Sequence, residues 1–86
     1  MMELSEAKEI LKEFYKRTKI DDSKIRLALF SVMYYIEKES IPKEKVSELL
    51  EIIENDLELS MRNEYEAVSI ELQFLLEKVQ EILGDD

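Results

Sequence analysis

"ENDLELSMRNEYE", residues Glu54–Glu66, decides whether this 86-residue chain holds three helices or four. From Val46 onward, apolar residues fall at 46, 50, 53, 57, 61, 65, 68, 72, 75, 79 and 82, always three or four apart. That spacing keeps phase with about 3.6 residues per turn, so one helix over 42–83 would carry a single stripe and run roughly 60 Å. Against this, Asn55, Asp56, Ser60 and Asn63 are poor helix formers clustered in the quoted stretch. Asn63 and Glu66 also have the spacing of a capping box, with Asn where Ser or Thr is more usual. Helices longer than about 25 residues usually belong to coiled coils or repeats, and the chain shows no internal repeat. We therefore read a break near residues 60–63.

Upstream, Leu4, Ala7, Ile10, Leu11, Phe14 and Tyr15 form one stripe, with charged residues on the opposite face. Ser5 or a neighbour is the expected cap. Asp21, Asp22 and Ser23 are good N-cap residues for a second helix, and Pro42 suits the first turn of a third. Gly84 after Leu83 is a candidate C-terminal cap. The expected fold class is all-α: a small antiparallel bundle with helices at about 3–18, 23–39, 42–60 and 63–83, and no sheet. The alternative merges the last two into one long helix. The chain reads as a single helical domain, 1–86, ending in a short acidic tail, 84–86.

A second stretch bears on function. "RLALFSVMYYI", Arg26–Ile36, is nearly uninterrupted apolar sequence in a chain that is 38% charged. As a strand it would have no partner. At about 100° per residue it resolves into two faces. Ile25, Ala28, Leu29, Val32, Met33, Tyr35 and Ile36 lie on one; Leu27, Phe30 and Tyr34 lie opposite. Arg26 and Glu37 mark one seam between them, and Lys24, Ser31 and Lys38 the other. The last helix repeats this plan: Tyr65, Val68, Leu72, Leu75, Leu76, Val79, Ile82 and Leu83 make a broad stripe, while Ala67, Ile70 and Phe74 fall on the far side. A helix in a monomeric bundle needs one buried face. The expected protein interface is therefore Leu27, Phe30, Tyr34, Ala67, Ile70 and Phe74, and a homo-oligomer, a dimer above all, is the expected partner. The competing reading leaves these side chains as ordinary exposed apolars.

Composition narrows the chemistry. With no histidine and no cysteine, the chain lacks the commonest general base, the commonest transition-metal ligand and any thiolate. The single glycine leaves no phosphate-binding loop or dinucleotide fingerprint. Tyr15, Tyr34, Tyr35 and Tyr65 fall at packing positions. Glu48, Glu51 and Glu54 repeat at i, i+3, i+6, a spacing that can hold Mg²⁺ or Mn²⁺. The later Glu-x-x-Asp that all-α pyrophosphohydrolases use beside it does not occur, and Glu44, Glu48, Glu51, Asn55 and Glu58 project away from the Val46–Ile53–Leu57 stripe toward solvent. No catalytic residue, metal site or cofactor is expected; a carboxylate-metal enzyme is the remote alternative.

Charge is unevenly placed. Residues 1–40 sum to zero, and residues 41–86 carry the whole net charge of −9. No basic patch serves direct nucleic-acid binding, and anionic membrane surfaces are disfavoured. "MMELSEAKEI" lacks the regions of a signal peptide, no apolar run reaches the roughly 18 residues of a membrane span, and the Glu- and Lys-rich composition is thermophile-like. The expected protein is cytoplasmic, acidic and non-catalytic: an oligomeric scaffold or accessory subunit. The alternative is an acidic regulator, such as an antitoxin or DNA mimic, covering a basic protein partner.

Overall fold

A computed structural model describes residues 2–16, 20–62 and 65–84, and among them the chain forms four helices and no strand. They are α1 (Leu4–Tyr15), α2 (Asp22–Glu37), α3 (Lys43–Arg62) and α4 (Glu66–Gly84). The break in the opening stretch is real. The longest dimension is 35 Å, too short for the continuous helix of about 60 Å. The proposed Asn63 capping box lies outside the described residues, as does the acidic tail beyond Gly84.

Local chemistry sets the helix ends. Asp21 caps α2, its Oδ1 accepting from the Ser23 backbone N–H at 2.9 Å and from the Ser23 hydroxyl at 2.8 Å. The backbone bond, then the hydroxyl, holds its carboxyl below the usual range. α1 lacks a side-chain cap: Glu3, not Ser5, occupies the N-cap position, and Ser5 lies exposed inside the first turn. Pro42 stands just before α3, where its carbonyl accepts from Lys45. Gly84 remains helical, without positive φ.

α2 ends differently. The Glu39 N–H bonds the Ile36 carbonyl and the Ser40 N–H bonds the Tyr35 carbonyl. That is a Schellman closure, which needs a left-handed residue after the cap. Glu39 fills the position at φ 54°, although a side chain costs about 1–2 kcal/mol there.

α3 packs on α4 and α1, α2 packs on α1 and α4, and the diagonal pairs do not meet. The helices thus stand in a ring of order α1, α2, α4, α3. Two ion pairs fix direction: Arg26 with Glu71 near the starts of α2 and α4, and Glu37 with Lys78 nearer their ends. α2 and α4 are therefore parallel neighbours, and sequence-adjacent helices run antiparallel. The four share one core that includes Ala7, Leu11, Phe14, Ile25, Leu29, Val32, Leu49, Ile53, Leu72, Leu75 and Val79. The apolar stripes read for α1, α2 and α4 face it; the side chain of Tyr15 lies outside the described set.

One expectation needs correction: α3 does not bury the whole all-apolar series 46, 50, 53, 57, 61, for Leu50 and Leu57 are only partly buried against the core. It buries Val46, Leu49, Ile52, Ile53, Asp56, Leu59 and Ser60, and leaves Met61 65% exposed. α3 must face α1 and α4 at once, and that direction favours the neighbouring series 46, 49, 53, 56, 60. Ser31 lies on the seam of α2 opposite Arg26, and that seam is closed there. It is fully buried, and its hydroxyl donates to the Leu27 carbonyl at 2.8 Å. The Arg26–Glu37 flank of α2 faces α4, so the opposite flank, with Ser31, closes on α1.

Ser60 ends on the corner between α3 and α4. Its hydroxyl bonds the Tyr65 carbonyl at 3.0 Å and meets the Ser69 hydroxyl at 2.7 Å. The Tyr65 N–H returns to the Ser60 carbonyl. A residue that weakens a helix interior is here the clamp of its terminus.

The rotation of α3 can be tested by urea unfolding. Leu59→Ala should cost about 2–5 kcal/mol, and Met61→Ala no more than about 0.5 kcal/mol; equal costs would return Met61 to the core. Glu39→Gly should stabilise by about 1 kcal/mol by relieving the left-handed strain, read as a higher urea midpoint at unchanged slope.

Candidate functional site: an apolar face across α2 and α4

The six residues that sequence pattern assigns to an interface all lie exposed. Leu27, Phe30, Tyr34, Ile70 and Phe74 are between 43% and 68% exposed, and Ala67 is exposed beside them. The ring explains why. α2 is covered by α1 on one flank, α4 on the other and the core beneath, so Leu27, Phe30 and Tyr34 can only point outward. On α4 the line through Glu71 and Lys78 faces α2. Ala67 and Phe74 sit just outside that line by helical phase, with Ile70 farther round. Because α2 and α4 are parallel neighbours, these are two banks of one face. Each bank has its members at i, i+3 and i+7.

Between the banks runs a polar seam. Arg26 Nη1 donates to Glu71 Oε1 at 2.6 Å, while its Nε reaches Asp22 Oδ2 at 3.0 Å. Lys78 Nζ donates to Glu37 Oε1 at 2.9 Å. The Asp22 bond, then the Glu71 charge, strengthens the proton affinity of the Arg26 guanidinium. The Lys78 bond holds the Glu37 carboxyl below its ordinary range. Lys78 lies 5.4 Å from the Phe74 ring centre, and Lys38 lies 5.7 Å from that of Tyr34. Two of the exposed aromatics thus carry cations over their faces. The face continues past Ile70 into an open cleft of about 440 Å³ lined by Ser60, Met61, Tyr65, Glu66, Ser69 and Ile70.

The acidic residues of α3 have a plainer setting. Glu44, Glu48, Glu51 and Glu58 are exposed. Lys8 and Lys12 of α1 both approach Glu48 at 4.0 Å, and Arg62 pairs with Glu58 within the helix. Tyr65 meets Phe14 edge-on with ring centres 5.6 Å apart, and half-buried Tyr35 meets the exposed Tyr34 at 5.7 Å.

Sequence pattern missed one residue of consequence. Asp56 is fully buried, and neither carboxylate oxygen has a hydrogen-bond partner among the described residues. Burial pushes its carboxyl up to about 8. The signal was present in the 46, 49, 53, 56, 60 series, but the competing all-apolar series outweighed it.

No family model, curated protein or solved structure matches the chain. The geometry of its own residues therefore carries the functional argument.

The seam and the α3 surface separate experimentally. Glu58→Gln removes an exposed pair within one helix and should change stability by no more than about 0.5 kcal/mol. Glu71→Gln removes the charge that joins α2 to α4 and should lower the urea midpoint clearly more. Indistinguishable midpoints would mean the seam does not hold these helices together.

Proposed function

We propose that this protein is a non-catalytic interaction module that works as a homodimeric scaffold or accessory subunit, two copies meeting on the α2–α4 face. The supporting observation is the gathering of five large, half-exposed apolar side chains on that face. At about 200 Å² for each large side chain, they expose roughly 500 Å². That lies at the upper end of what a monomer ordinarily leaves as one patch. Two such patches, with their polar rims, reach the roughly 1,200–2,000 Å² of a standard interface.

The charges favour a second copy over an unrelated partner. Seen from outside, positive Arg26 and negative Glu71 lie side by side near one end of the seam, and negative Glu37 and positive Lys78 near the other. A two-fold axis along the seam sets Arg26 against Glu71 of a second copy and Glu37 against Lys78. A two-fold axis across the seam sets Arg26 against Glu37 and Glu71 against Lys78. Both bring opposite charges together. Isologous dimers need such self-complementarity, and correct register follows from it more than affinity does.

The reading extends to compartment. A chain without cysteine needs no oxidising environment to fold, which fits work in the cytoplasm.

Light scattering over a wide concentration range tests the proposal. The wild type should give twice the 10.2 kDa chain mass, and the dimer should persist in high salt because its core is apolar. Phe30→Glu combined with Phe74→Glu should give a monomer with unchanged helical circular dichroism. A wild type that stays monomeric at the highest concentration overturns the reading. So does one that associates only with a basic protein at low salt.

A further inference from the structure

Asp56 is the one fully buried ionisable side chain among the described residues. It lies on the core face of α3, one turn before Ser60, the clamp of the α3–α4 corner. That corner is held by the Ser60, Tyr65 and Ser69 hydrogen bonds and joined to α1 through the Phe14–Tyr65 ring contact. We propose that this corner is a proton-dependent latch. The bundle closes over Asp56 only as the neutral acid, and loss of its proton makes the end of α3 and the start of α4 the first part of the fold to open.

Among the described residues, nothing donates a hydrogen bond to the Asp56 carboxyl. Among the described helices, α3 packs on α1 and α4. On α1, the cations turned toward α3 are Lys8 and Lys12, and both approach Glu48, about 12 Å earlier along α3 by helical rise. On α4, Glu66 is exposed, and the Glu71 Oε1 is taken by Arg26 on the α2 side. None contributes to the proton affinity of Asp56, which burial alone raises. A carboxylate buried without a partner is far more costly than a carboxylic acid in the same place.

The sign follows by linkage. The carboxyl is raised from 3.8 in an open chain to about 8 in the fold, so unfolding releases a proton between those values. The stabilisation by the proton is complete below about pH 4, falls as pH rises, and is lost above about pH 8. Inside the window the unfolding constant rises about tenfold per pH unit. The chain has no histidine and no cysteine. Apart from the α-amino group, no other side chain with an ordinary pKa titrates between pH 6 and 8.

Urea unfolding at pH 6 and pH 8, at one protein concentration, measures this directly. The wild-type unfolding constant should rise about fiftyfold between them. Asp56→Asn and Asp56→Leu should remove the rise, and Asp56→Leu should exceed the wild type in stability at pH 8. Amide exchange in 56–62 and 66–72 should quicken in the wild type between pH 6 and 8, relative to the same amides of Asp56→Leu and to the α1–α2 half of the wild type. Carbon-13 titration of the Asp56 carboxyl in the folded wild type gives a reading that needs no variant. A flat wild-type profile, a rise that survives both substitutions, or a carboxyl midpoint near 4 would each overturn the proposal. The direction of each outcome is the same whether or not the chain dimerises.

Discussion

Four helices in a ring, each touching two neighbours and never its diagonal, is the constraint from which the other features follow. Such a helix has one inward direction and two flanks to close. Its outward direction is left to solvent or to another molecule. α1 meets this with a charged outer face and α3 with an acidic one. α2 and α4 do not, because both carry a second apolar set on the outward side. The ring therefore turns a surplus of apolar residues in two helices into one continuous face. It also explains why the polar interruptions of Arg26–Ile36 fall where they do: Arg26 meets α4, and Ser31 is small enough to be enclosed against α1.

Acidity and the apolar face occupy different parts of the ring. The excess negative charge of residues 41–86 lies largely on the outside of α3 and the solvent edge of α4. At the α2–α4 seam, by contrast, Arg26 and Lys78 each meet a carboxylate across the helix boundary. Local balance there lets the seam lie beneath an interface without burying unpaired charge, which would oppose association strongly. The rest of the surface keeps the charge that favours solubility.

Most of this arrangement was legible in the sequence, for reasons that also mark where legibility ended. The stripes of α1, α2 and α4 are unambiguous because charged residues flank them. The outward sets Leu27, Phe30, Tyr34 and Ala67, Ile70, Phe74 followed from helical phase alone. α3 offered two series with equally good spacing, one wholly apolar and one containing Asp56 and Ser60. Hydrophobicity selected the first, whereas the directions of α1 and α4 select the second, and no local pattern carries those directions. The Arg26–Glu71 and Glu37–Lys78 pairs were equally out of reach, since each joins residues more than 40 apart in sequence.

Asp56 places a carboxyl on a face of α3 that is otherwise apolar but for the hydrogen-bonded Ser60, in a chain whose own core is small. A bundle of this size buries only about two-thirds of its unfolded surface, and its net stability is a narrow difference between large quantities. An acid on the core face of α3 with no hydrogen-bond partner among the described residues narrows it further at neutral pH, and the strained Glu39 adds to the deficit. Burying the α2–α4 face against a second copy acts in the opposite direction, because association stabilises whatever state presents the interface. The latch and the face lie at different places in the ring, one inside α3 and one outside α2 and α4, yet they act on the same equilibrium. A weak point inside the bundle and an apolar surface outside it are then complementary: the first makes the isolated chain sensitive to conditions, and the second makes its stability depend on company.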